Sequence, residues 1–240
     1  MPSAPVSTCR FSTSTDLMPT LASEVVAAII PALNEAGAIE RVVRAVGPYA
    51  RPLVVDDGSS DQTALLARSA GAEVVVHPTN RGYDAALETG LFRAIELGFA
   101  YAITMDGDGQ HLPATLDLFK QKLAEGADLV VGVRDRHQRF AESLFALLGW
   151  WMWGIKDPLC GMKAYRLELL ARAGHFDSYQ SIGTEFTLRA ARSTCRIEQV
   201  PVPTRDRVGA SRFGAGFRAN WKIMRAMVLG LLLATPLPPA

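Results

Sequence analysis

Val25-Val26-Ala27-Ala28-Ile29-Ile30 is an unbroken apolar run, rich in β-branched residues and closed by Pro31. An alternating strand buries one face. A run with no polar member buries both, as strands inside a parallel sheet do. Similar runs recur at Leu53–Val55, Val74–Val76, Ala100–Thr104 and Leu129–Val133. Helical patterns fill the gaps, at roughly 38–46, 61–70, 84–97 and 113–124. Strands alternating with helices predict an α/β fold, a mostly parallel sheet flanked by helices on both faces. Ligands of such sheets sit beyond the carboxyl ends of the strands, near the topological switch point. The polar clusters fall there: Asn34-Glu35, Asp56-Asp57-Gly58, Asp106-Gly107-Asp108 and Arg134 each follow a strand run.

The 240 residues suit one large domain. Apolar residues make up 49% and the net charge is +1, which excludes an acidic disordered chain and a uniformly basic nucleic-acid coat. Cys9, Cys160 and Cys195 are too few and too scattered for a disulfide framework or a zinc site, and point to a reducing compartment. The charge is unevenly spread. From Gln199 onward six basic residues face one acid, Asp206, so this tail carries +5 and the rest of the chain −4. A tail of that kind attracts phosphates or acidic lipid head groups.

Residues 1–24, rich in Ser, Thr and Pro, read as a flexible leader without the apolar core of a secretory signal. The main domain is placed at 25–213, followed by an amphipathic segment at 214–240. Phe140, Leu144, Leu147 and Trp151 have helical spacing, with Trp150 and Trp153 beside them. Near the C-terminus, Arg218, Lys222 and Arg225 share one side of a predicted helix, and Ile223, Met227 and Leu231 the other. The apolar stretch Ala226–Ala234 has nine residues, too short to span a bilayer but suited to a helix lying in its interface.

Two acidic clusters carry chemistry. Asp56-Asp57-Gly58-Ser59-Ser60-Asp61 follows a strand and opens a helix. One short polar residue suffices for an N-cap, whereas three acids can also accept bonds from a ribose or a base. In Thr104-Met105-Asp106-Gly107-Asp108-Gly109-Gln110-His111, two carboxylates one residue apart repel each other unless a cation lies between them. Their oxygens, with that of Gln110, suit Mg²⁺ or Mn²⁺, which would bridge a diphosphate leaving group. The P-loop, dinucleotide, zinc-protease and nucleophile-elbow signatures are all missing from the sequence.

In order along the chain, these segments resemble glycosyltransferase family 2, in particular its polyprenyl-phosphate branch. The resemblance rests on Ile30-Pro31-Ala32-Leu33-Asn34-Glu35, Val54-Val55-Asp56-Asp57-Gly58-Ser59, Asn80-Arg81-Gly82 and Met105-Asp106-Gly107-Asp108-Gly109-Gln110-His111. Asp157-Pro158-Leu159-Cys160-Gly161-Met162-Lys163 and Gly209-Ala210-Ser211-Arg212 extend it over roughly 25–213. It implies a GT-A, Rossmann-like fold and inverting transfer from a nucleotide diphosphate sugar, UDP- or GDP-linked. By matching position, Pro31, Leu33, Glu35, Val55 and Asp57 would hold the nucleoside. Asp106, Asp108 and Gln110 would be the metal ligands, with Asp106 also touching the donor. Arg134 and Lys163 would contact the sugar diphosphate, and Arg207 and Arg212 cover the phosphates. The family often has Ser and Arg where this chain has Cys160 and Lys163, which replaces a forked contact with a point charge.

An acceptor attacking opposite the leaving diphosphate places positive charge on the sugar ring, and electrostatic stabilisation of the diphosphate is the main catalytic aid. A polyprenyl phosphate acceptor is already anionic. A hydroxyl acceptor needs a general base, for which Asp157 and Glu185 are the candidates. The Trp-rich segment and basic tail would seat the protein on the cytoplasmic membrane face; the alternative is that both helices complete the core or a dimer face. The alternatives are a soluble or polysaccharide hydroxyl acceptor, and a non-catalytic sugar-nucleotide-binding scaffold.

Overall fold

A computed structural model of the chain describes residues 21–22, 25–107, 113–135, 140–178, 181, 183–203 and 217–238. Seven strands and eight helices follow in the order β1 (Val26–Ala32), α1 (Ile39–Val46), β2 (Arg51–Asp56), α2 (Thr63–Ser69), β3 (Glu73–Val76), α3 (Tyr83–Glu96), β4 (Tyr101–Thr104), α4 (Thr115–Ala124), β5 (Leu129–Arg134), α5 (Phe140–Trp153), β6 (Lys163–Arg166), α6 (Leu167–Ala173), α7 (Glu185–Ala191), β7 (Ile197–Val202) and α8 (Phe217–Leu233). One sheet orders them β3-β2-β1-β4-β6-β5-β7, with only β6 antiparallel to its neighbours. This is the expected α/β, GT-A-like architecture.

The first strand run does not stop at Pro31. β1 continues to Ala32, pairing Pro31 with Val55 and Ala32 with Asp56. Ile29 accepts the Met105 amide on its β4 side, so Pro31, two residues on, also faces β4. Pairing to β4 ends at Ile29↔Thr104, so the amide that proline lacks costs no ladder bond. Asp56 and Arg134 likewise close β2 and β5 instead of following them.

Apolar side chains of the central strands fill both faces. Val26, Ala28, Ile30 and Val54 pack under α1 and α4 with Ile39, Val43 and Phe119, while Ala27, Ile29, Leu53 and Val55 meet Leu87 and Leu91 of α3. A Cβ at Gly90 would lie 2.4 Å from Ile29 Cγ2, so this glycine lets α3 settle onto β1.

The C-terminal helix is part of the body. Ile223, Met227 and Ala234 form a third core with Phe145 of α5 and Leu188 of α7, and Leu231 packs against it. The stripe that the sequence left open between lipid and core therefore faces protein. Arg192, just past α7, donates Nη2 to the Leu231 carbonyl (2.7 Å) and Nη1 to that of Ala234, capping α8, and lies 5.7 Å over the Trp153 ring. Trp153 is thus half-buried packing, whereas Trp150 (57% exposed), Trp151 (77%) and Trp221 (63%) face solvent. Among the described residues, no helix is long and apolar enough to cross a membrane.

Candidate active site

The strand order reverses between β1 and β4, and the loops beyond their carboxyl ends meet there. The β1 loop is stitched to the β2 loop. Asn34, with a left-handed φ of 53°, donates its amide to Ser59 Oγ (2.8 Å) and accepts the Ser60 amide on Oδ1 (2.9 Å). The Glu35 amide donates to Thr63 Oγ1 (2.8 Å), and Ala36 to Asp61 (3.1 Å). Asp61 therefore serves this stitching. Pro31, Leu33 and Glu35 are half-buried there, while Val55 is wholly buried between β1 and β3.

Asp57 is buried and taken up by the protein. Oδ1 accepts the Arg81 amide (2.8 Å) and His77 Nδ1 (2.7 Å), and Oδ2 accepts the Gly82 amide (2.8 Å). A carboxylate only accepts, so His77 donates from Nδ1, and its Nε2 lies in hydrogen-bond contact with Thr89 Oγ1 at 3.0 Å. Asp57 thereby fixes the Asn80-Arg81-Gly82 turn that launches α3. The first residue of α3, Tyr83, donates its phenol to Asp106 Oδ1 (3.2 Å). Burial and the neighbouring Asp106 charge push the Tyr83 pKa well up, so the phenol stays a donor.

Asp106 stands just past β4. Thr104 Oγ1 donates to the Gly161 carbonyl (2.7 Å), drawing the 157–161 loop across the sheet. A Cβ on Gly161 would come within 3.4 Å of both Asp106 oxygens and 3.2 Å of the Tyr83 oxygen, so glycine keeps the space over the carboxylate clear. Together with Asp108 and Gln110 from the sequence, the oxygen donors here fit a hard divalent cation. Asp108 and Gln110 lie outside the described residues, as do Arg207 and Arg212. Among the described residues, no cluster of three or more His, Cys, Asp or Glu forms a metal site.

Arg134 closes β5 at the same rim. Its Nε donates to Asp157 Oδ2 (2.8 Å) and Nη2 to Oδ1 (3.0 Å), a forked pair, and its amide reaches Oδ2 (3.2 Å). Nη1 lies 3.5 Å from Glu142 Oε2. Burial alone would lower the Arg134 pKa, but these carboxylates outweigh it and hold the guanidinium charged. Glu185, first residue of α7, is buried and accepts the Ser178 amide (2.6 Å) and hydroxyl (2.7 Å), with His175 Nε2 at 3.3 Å.

Lys163 is also buried. Nζ donates to the Gly183 carbonyl (2.8 Å), and burial draws its pKa down to about 8. Asp84 accepts the Gly183 amide (2.8 Å), so Lys163 and Asp84 grip both sides of one residue. Burial and the charge of Asp177 raise Asp84 to about 7. Burial pushes the Cys160 thiol up to about 12, making it inert packing.

The structure thus gathers Pro31, Leu33, Glu35, Asp57, Asp106, Arg134 and Asp157 along one rim, and gives Lys163 and Glu185 to the loop around Gly183. The sequence reading missed His77, Tyr83, Asp84 and Glu142. His77 was within reach, since it follows a strand run just as Asp56 closes one.

The sequence pattern of the family described as Glycosyl transferase family 2 matches residues 27–171. The undecaprenyl-phosphate mannosyltransferase of Micrococcus luteus is 32% identical, covering 78% of this chain and 87% of its own length. The polyprenol monophosphomannose synthase of Mycolicibacterium smegmatis is 29% identical, covering 85% and 87%. Among solved structures, glucosyl-3-phosphoglycerate synthase from Mycobacterium tuberculosis, in complex with Mn²⁺, UDP-glucose and phosphoglyceric acid, superposes with a TM-score of 0.71 at 22% identity. The superposition covers 90% of this chain and 82% of that one, a likeness of fold.

Proposed function

Because the chain belongs to glycosyltransferase family 2, we propose that it moves a sugar from a nucleotide diphosphate sugar to a polyprenyl phosphate at a membrane surface, with inversion at the anomeric carbon. The nucleoside lies along Pro31, Leu33 and Glu35, against a wall shaped by Asp57 and the 80–82 turn. The diphosphate lies between Asp106 and Arg134, with Arg207 and Arg212 as its cover. Asp106, Asp108 and Gln110 would hold Mg²⁺ or Mn²⁺, which would neutralise charge on the departing diphosphate. An acceptor phosphate oxygen forms the new bond to the anomeric carbon as the bond to the diphosphate oxygen breaks, and the nucleoside diphosphate departs with those electrons.

The observation that carries the phosphate acceptor is the state of the two candidate bases. Both oxygens of Asp157 are bonded to Arg134, and both of Glu185 to Ser178. A hydroxyl acceptor needs a base able to take its proton. A phosphate monoester, with a second pKa of about 6, is already an anion at neutral pH and needs none. The names of the relatives point the same way. A place on the cytoplasmic membrane face is supported by Trp150, Trp151 and Trp221, aromatic residues that favour the head-group level and are exposed here. The test is incubation with radiolabelled UDP- and GDP-sugars, Mn²⁺ and undecaprenyl phosphate. Organic-phase label with one donor is expected. Label found only on a water-soluble acceptor would overturn the lipid reading.

A further inference from the structure

Glu142 stands in an unexpected place. The inward stripe of α5 is Glu142, Phe145, Ala146 and Gly149, spaced i, i+3, i+4, i+7, and the acid that heads it is as buried as its apolar companions. A buried carboxylate is costly without a cation. Here Arg134 Nη1 lies 3.5 Å from Oε2, while Asp157 holds the other end of the same guanidinium through Nε and Nη2. Asp157 comes from the loop before β6 and Glu142 from α5, so two separate parts of the fold grip one arginine. Asp157 takes the Nε–Nη2 edge of the planar guanidinium and Glu142 lies on its Nη1 side, so the plane is held from two directions. The outward face of the same helix carries Leu147, Trp150 and Trp151.

We propose that Glu142 is a positioning residue for the transfer reaction. With Asp157 it clamps the Arg134 guanidinium at a fixed orientation toward the donor diphosphate, and so ties the Trp-bearing helix to the donor site. This rests on the reading of Arg134 as a diphosphate contact. Glu142 itself touches no substrate; it acts through Arg134.

The clamp is read first without any nucleotide. In ¹⁵N spectra of arginine side chains of the full chain, Arg134 gives separate, slowly rotating Nη signals, assigned by their loss in Arg134→Lys. In Glu142→Gln the Nη1 signals broaden while those of Nη2, held by Asp157, stay sharp. Unchanged signals in Glu142→Gln overturn the clamp whatever the enzyme's substrate is. Donor binding is then titrated with UDP-glucose and GDP-mannose, each with Mn²⁺. Glu142→Gln weakens binding of the preferred donor about tenfold in the Arg134 background but less than about twofold in Arg134→Lys, the non-additivity of residues acting through one group. Glu142→Asp recovers part of the loss, because the charge is retained. Equal losses in both backgrounds would mean that Glu142 merely supports the fold, and would overturn the proposal. If the unaltered chain binds neither nucleotide while the Arg134 signals still depend on Glu142, the proposed function fails and the clamp serves some other ligand.

Discussion

Gly161 decides what can approach Asp106. Its backbone is not in the left-handed region, so a methyl group there strains no dihedral, yet it would stand over both carboxylate oxygens. Gly161→Ala should therefore lose at least about tenfold in metal-supported transfer while unfolding within about 1 kcal/mol of the parent. Activity against Mn²⁺ concentration, read beside a melting curve, checks both. Asp84 gives a prediction of another kind. Its pKa is raised from 3.8 to about 7 by burial and Asp177. Between those values the folded state holds a proton that the unfolded chain has lost, so this group's contribution to stability falls as pH rises from about 4 to 7. Asparagine imitates the protonated form. Asp84→Asn should match the parent near pH 4 and exceed it increasingly up to pH 7–8, there by on the order of 3–4 kcal/mol at about 1.4 kcal/mol per pKa unit, read from melting curves across pH. Asp106 was legible in the sequence, because acids just past a buried strand stand out. Tyr83, Asp84 and Glu142 were not. The partners that give them meaning lie 23, 99 and 8 residues away along the chain and meet only through packing.

The alternating elements up to β5 were readable because each buried strand is an apolar run and each helix has a wet face. β6 and β7 escaped notice. Lys163-Ala164-Tyr165-Arg166 is four residues long with charged ends, and Ile197–Val202 contains Glu198, Gln199 and Pro201, so neither reads as a buried strand. α8 is legible as a helix, but its apolar stripe fits lipid or core equally well. A helix's pattern shows that one side is covered and leaves the cover unnamed; here it is Phe145 and Leu188. Arg192 holds the end of that helix by two carbonyls. Arg192→Ala should cost about 1.5–3 kcal/mol, the range for hydrogen bonds to a charged group. It should also open α8 to protease, seen as an early C-terminal cleavage in limited digestion. An unchanged digestion pattern would show that core packing alone retains α8.

Across the molecule, the acidic rim and the exposed apolar side chains are carried by different elements. The switch-point rim carries the acids and Arg134, while α5 and α8 turn outward Leu147, Trp150, Trp151, Trp221, Val228 and Leu232. Replacing Trp150, Trp151 and Trp221 together with alanine should weaken binding to vesicles containing anionic lipid at least about a hundredfold, since each buried indole contributes on the order of 1.5–3 kcal/mol. Co-sedimentation measures this, and the melting temperature should stay close to that of the parent because all three side chains are exposed. Equal sedimentation of parent and variant would remove the membrane from the account.

We propose that the space above Asp106, kept open by Gly161, receives the diphosphate of an activated sugar on the Arg134 side. A crystal structure with Mn²⁺ and the preferred nucleotide sugar decides this. A metal on Asp106 is expected, with diphosphate oxygens within hydrogen-bond reach of Arg134. A nucleotide bound elsewhere, with the rim between β1 and β4 filled only by solvent, would contradict it.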